Sequence, residues 1–153
     1  MLRSLLIGLS AGSRSMTPLA AVSEAAHSGH LPADNGAPSW LGSDWMAAGS
    51  KALAAGELWG DKLPSAPDRI VLAGILARIV TGGIAGAALA PKRQRYLGAA
   101  LGAGAAVAAS YVTFHARMKA IKHFGQTPSG LVEDALTLGA AQLVTRAMPE
   151  RGL

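Results

Sequence analysis

The chain has 153 residues, enough for a single domain over residues 1–153, with 50% hydrophobic and only 15% charged positions and a mean hydropathy of +0.31. With no cysteine it has no disulfide, thiol nucleophile or thiolate metal site. The net charge of +5 raises the question of nucleic acid, yet the basic residues sit in short groups beside apolar runs, and zinc-finger spacing and aromatic RNA-binding motifs are both missing. Such groups match anionic lipid headgroups instead.

Alanine and glycine dominate while aromatics reach only 5%. Tightly packed membrane helices have this character, because small residues let backbones approach. The expected fold is therefore all-α, a compact multi-pass transmembrane bundle of four to five apolar segments. At least one of them is expected to be kinked or re-entrant.

Residues 1–22 begin with Arg3 and a short apolar run, as a signal peptide would. Arg14 interrupts that run and Pro18 stands where cleavage would fall, so the segment reads as a retained, bent first membrane segment. Gly12 and Pro18 mark the expected helix break, since proline removes a donor and disfavours helix just before it. Arg14 between them needs a partner, a ligand or water.

The polar stretch 23–44 carries acids but no Lys or Arg, which places it on the outer side by the positive-inside rule. His27, His30 and Asp34 have metal-like spacing, but Gly29 and Pro32 argue against a helix there, so they read as solvated loop residues and no metal or cofactor is expected. The second segment runs from about Trp45 to Asp61. Glu57 and Asp61 are four apart on one helix face, with Lys62 as their nearest partner. The third, Ile70 to Ala90, is interrupted by Arg78 and by Gly82-Gly83, which makes it a second re-entrant candidate.

The fourth, Tyr96 to Phe114, holds no formal charge for 19 residues, close to a span. Arg117 to Phe124 then reads as a basic piece at the interface, Gly125 to Gly130 as a loop, and Leu131 to Met148 as a last helix opening on Glu133 and Asp134. Four glycine pairs at spacing four (Gly8/Gly12, Gly56/Gly60, Gly82/Gly86, Gly98/Gly102) predict close helix contacts, and a homodimer through one such face. The basic groups Lys92–Arg95 and Arg117–Lys122 flank the fourth segment. Both lie on one side of a membrane only if a segment folds back.

Several stretches resemble a known family: Gly8 to Ala20, Leu31 to Pro38, Ala55 to Lys62 and Gly130 to Ala135. They are similar to the bacterial membrane proteins grouped as domain of unknown function 4126. The resemblance implies a multi-pass inner-membrane protein and supplies no activity. The R-x-x-x-P of Arg14 to Pro18 also resembles, more weakly, the re-entrant motif of DedA-type membrane proteins.

The intramembrane charges Arg14, Lys51, Arg78 and Arg146 balance Glu57, Asp61, Glu133 and Asp134. One reading is a non-transporting scaffold in which these charges neutralise one another. The other is a small transporter or translocase. There Arg14 and Arg78 contact a small anionic substrate or lipid headgroup, and Glu57 or Glu133 binds the coupling proton or cation. An enzyme is not expected, because Ser13 and Ser15 have no histidine in local register.

Overall fold

A computed structural model describes residues 1–60 and 71–146. Among them run six helices: α1 (Leu2–Ser13), α2 (Met16–His27), α3 (Asp44–Gly60), α4 (Leu72–Ala88), α5 (Arg95–Phe124) and α6 (Gln126–Arg146). Short 3-10 turns at Ser39–Gly42 and Lys92–Gln94 precede α3 and α5.

The first segment is two helices rather than one bent helix. The break lies between the two residues expected to cause it, and proline chemistry explains the position. In a continuous helix the Pro18 ring would meet the carbonyl of Arg14, four residues earlier. Arg14 leaves the helix for an extended conformation (φ −139°, ψ 116°). Pro18 then falls in the first turn of α2, where a missing amide costs nothing. Gly12 lies inside α1 and serves close packing, since a Cβ at this position would run into α5 at Ala106 and Ala109.

The register of the packing gives the direction of each helix. Gly8 and Gly12 of α1 meet Gly102 and Ala106 of α5, so α1 and α5 run parallel. Gly82 and Gly86 of α4 meet Gly102 and Gly98 in the opposite order, so α4 is antiparallel. Gly102 is the crossing point of all three, touched from α1 by Gly8 and from α4 by Gly82 and Gly86. A methyl group at any of these positions would collide with a facing backbone.

α2 turns back alongside α3, α4 and α6, and α6 returns along α1. α1 and α2 thus form a hairpin whose arms each rise about 18 Å at 1.5 Å per residue. Its tip is level with Thr113, whose hydroxyl reaches the Gly12 carbonyl at 3.4 Å. At the open end of the hairpin, Gly36 N–H donates to Ala90 O (2.8 Å) and Lys92 N–H to Asp34 O (3.2 Å). The acidic loop therefore shares one end of the bundle with the basic group Lys92–Arg95. The loop and that group thus lie on the same side of any membrane that α5 crosses.

Other boundaries also differ from the sequence reading. α4 continues unbroken through Gly82-Gly83, and Gly82 serves close approach to α5 rather than a break. The basic piece after Phe114 is the continuation of α5, not a separate interfacial helix. The expected loop 125–130 contracts to Gly125 alone, at φ +86°, and Pro128 is accommodated in the first turn of α6. A methyl group added at Gly56 or Gly60 would meet nothing within 4 Å, so this pair, unlike the other three, packs against none of the described helices.

The interior is built from small side chains, twelve of the eighteen buried apolar residues in the described part being alanine. Large apolar residues point outward instead, among them Leu72, Val80, Val112, Leu136 and Leu143. Lys92–Phe124 is the one stretch among the described residues that is long and apolar enough to cross a membrane, and Leu72–Ala88 is a shorter apolar helix. Only 33% of the apolar window of the long stretch is buried in the protein, so most of it faces outward. A core helix of a water-soluble bundle would hide that face.

Candidate functional site

Three charged groups converge where α1 gives way to α2. The extended backbone at Arg14 turns its side chain inward, where it is 1% exposed, and its guanidinium donates to the carboxylate of Asp134 on α6. Asp134 is itself buried. Taking both ions out of water carries a desolvation cost of several kcal/mol per ion, which only close, hydrogen-bonded contact offsets.

The N-terminus of α2 exposes donors that α1 would have satisfied in a continuous helix. Ser15 makes no side-chain cap of its own. Glu57 of α3 supplies the acceptor from outside: one oxygen takes the Ser15 amide and hydroxyl, both at 2.8 Å, and the other takes the Met16 amide at 2.9 Å. A carboxylate at a helix N-terminus also meets the positive end of the helix dipole. The break is thus clamped on two sides, by α6 through Arg14 and by α3 through Glu57.

A second ion pair lies one residue along α6. Glu133 accepts from Arg117 of α5 at 3.0 Å, with side chains 10% and 15% exposed for arginine and glutamate. Consecutive residues of α6 diverge by about 100° around the helix. Glu133 accordingly faces α5 while Asp134 faces the break.

Arg78 is buried in α4, one turn before the Gly82 contact with α5, and so lies near the depth of the hairpin tip. Lys51, counted with the intramembrane charges, is exposed and pairs with Glu24 at 2.5 Å across α2 and α3. Arg146 is exposed at the end of α6. Asp61 and Lys62 lie outside the described residues. Of the expected site, then, the structure brings together Arg14, Asp134 and Glu57, and sets Glu133 apart in its pair with Arg117.

Two participants escape the sequence reading, Arg117 and Ser15. Arg117 is one of several basic residues close together, with nothing in spacing to separate it from Lys119 or Lys122. The turn does carry a signal. An antiparallel hairpin closed at Gly125 pairs positions equally far on each side, and Arg117 and Glu133 are each eight residues from it.

A family model described as Domain of unknown function (DUF4126) matches residues 1–149. No curated protein and no solved structure gives a significant match.

Proposed function

We propose that this chain, which belongs to the DUF4126 family, is a multi-pass protein of the bacterial inner membrane that acts as a small translocase for an anionic solute or lipid headgroup. Arg14 is the anion contact, and Asp134 holds its place when no substrate is bound. The observation that carries this reading is the buried Arg14–Asp134 pair at the tip of a helical hairpin that stops partway along α5. Ionisable groups buried within a membrane protein often mark substrate and proton pathways, and broken helices offer anions their exposed N-terminal amides. Glu57 already fills that position on α2, which makes it the candidate coupling group. Outward-facing leucines and valines around an alanine core support the membrane setting.

Purified protein reconstituted into liposomes with fluorescent phosphatidylglycerol tests the reading through dithionite quenching of the inner leaflet. The parent protein should expose inner-leaflet dye, and Arg14→Gln should accumulate normally yet lose that activity. Equal quenching with empty liposomes would remove the lipid arm, and radiolabelled phosphate efflux from the same vesicles tests the solute arm.

A second reading is favoured by the same contacts: Asp134 answers Arg14 and Glu57 answers α2, as a non-transporting scaffold requires. The two readings part at the parent protein, which translocates only under the first, and the double replacement Arg14→Glu with Asp134→Arg tests the pair itself. It restores the pair and hence accumulation under either reading. Translocation stays lost only if the cation must sit on the hairpin.

A further inference from the structure

Two cavities lie end to end along the seam where α6 meets α1 and α5. One, about 620 Å³, is walled by Leu6, Leu9, Leu136, Ala140, Leu143 and Val144. The other, about 300 Å³, contains Arg117 and Glu133 with the hydroxyls of Thr113, Ser129 and Thr137. Ser13, Leu136 and Thr137 line both, so the two form one furrow, apolar along one stretch and polar with both signs of charge at the other.

We infer that this furrow binds a membrane phospholipid with a phosphoethanolamine headgroup, seated at Arg117 and Glu133, with one acyl chain lying between α1 and α6. The inference rests on the membrane reading above, and its lipid is separate from the anionic cargo proposed there. Three observations carry it.

Depth is the first. Arg117 stands one turn beyond Phe114, where the uncharged run from Tyr96 ends. In a bilayer that turn is at headgroup level, and the apolar stretch runs from there alongside hydrocarbon.

Charge is the second. The polar end presents a cation and an anion 3.0 Å apart. A purely anionic headgroup would meet Glu133 and be repelled, whereas a zwitterion offers phosphate to the guanidinium and ammonium to the carboxylate. Arginine has five donors, so it can keep Glu133 on one nitrogen and take phosphate oxygens on others. Choline fits less well, because its quaternary nitrogen has no hydrogen to donate to Glu133.

Form is the third. The apolar cavity is within the size range of small-ligand sites, and its rim leucines are open, Leu136 at 69% and Leu143 at 63% exposure. Such a furrow is filled by a flexible chain more readily than by a rigid solute.

The test titrates the purified full chain in detergent micelles with dioleoyl phosphatidylethanolamine, phosphatidylglycerol or phosphatidylcholine, reading occupancy by native mass spectrometry. Phosphatidylethanolamine should saturate at one per chain and bind at least about tenfold more tightly than either competitor. Ala140→Trp fills the furrow from an outward position and should weaken that binding about tenfold while leaving the unfolding midpoint unchanged. The exchange Arg117→Glu with Glu133→Arg keeps the ion pair but reverses its polarity, and should weaken binding to a similar extent. Equal, unsaturable occupancy by all three lipids, unaffected by Ala140→Trp, overturns the site. Tighter phosphatidylglycerol binding overturns the zwitterionic assignment. Saturable binding without translocation in liposomes defeats the translocase reading alone, and translocation without saturable binding defeats the furrow alone.

Discussion

Replacing Glu57 with alanine removes the acceptor of three hydrogen bonds at once. Its oxygens take Ser15 N–H and O–H at 2.8 Å and Met16 N–H at 2.9 Å, all at the exposed start of α2. A hydrogen bond to an ionised acceptor contributes about 1.5–3 kcal/mol. A carboxylate at a helix N-terminus contributes a further ~0.3–1 kcal/mol. Glu57 is only half-buried, so water can reach the donors left behind and the three contributions do not add in full. The expected cost of Glu57→Ala is about 3 kcal/mol. Glu57→Gln, which keeps one acceptor oxygen and loses the charge, should cost about half as much. A double-mutant cycle with Ser15→Ala isolates the hydroxyl contact, with an expected coupling of about 1 kcal/mol. Equilibrium unfolding in mixed micelles at rising dodecyl sulfate fraction, followed by circular dichroism, measures the totals. Amide exchange at Ser15 and Met16 gives the local effect. A Glu57→Ala protein within about 0.5 kcal/mol of the parent, with exchange at those amides unchanged, refutes the cap and with it the clamping of the hairpin by α3.

The glycine contacts predict opposite signs at two positions. Gly102→Ala pushes a methyl group against the backbone of Gly82 and Gly86 and should cost about 1–3 kcal/mol in the same unfolding assay. Gly56→Ala meets open space and should stabilise by about 0.5–1 kcal/mol through helix propensity alone. Because α5 is one continuous helix, single cysteines at Gln94 and His123 should lie on opposite sides of the membrane. An impermeant thiol reagent should label one of them in intact cells and the other only after lysis, with Ala33→Cys following Gln94→Cys because the loop is bonded to the α4–α5 turn. Identical labelling at Gln94 and His123 rules out a spanning α5.

What the sequence makes legible is local. An apolar run, an arginine and a proline four residues on are enough to locate a break near Arg14, since the steric conflict of Pro18 is with that residue's own carbonyl. Glycines four apart identify contact faces at Gly8/Gly12, Gly82/Gly86 and Gly98/Gly102. Spacing says which residues share a face and nothing about whether that face has a neighbour, and the Gly56/Gly60 face has none among the described residues. Charge placement fails for a related reason. Lys51 and Arg14 both interrupt apolar stretches, yet Lys51 has a long stem ending at an exposed pair with Glu24, while Arg14 is turned inward by an extended backbone that no composition rule foresees. The partner of Arg14 is 120 residues away, and only the return of α6 along α1 brings it there.

That separation has a consequence for how the bundle is made. α1 packs far more against α5, some ninety residues later, than against α2, which follows it, and Arg14 finds Asp134 later still. At translation rates of about 5–20 residues per second, α1 leaves the ribosome roughly 5–20 seconds before the Gly102 surface exists to receive it. The hairpin must wait in a provisional arrangement and be seated only when α5 arrives and the loop at Gly36 closes onto Ala90. Assembly is therefore completed from the C-terminal side. Truncations that remove both α5 and α6 should leave an N-terminal part that never settles and is open to proteolysis.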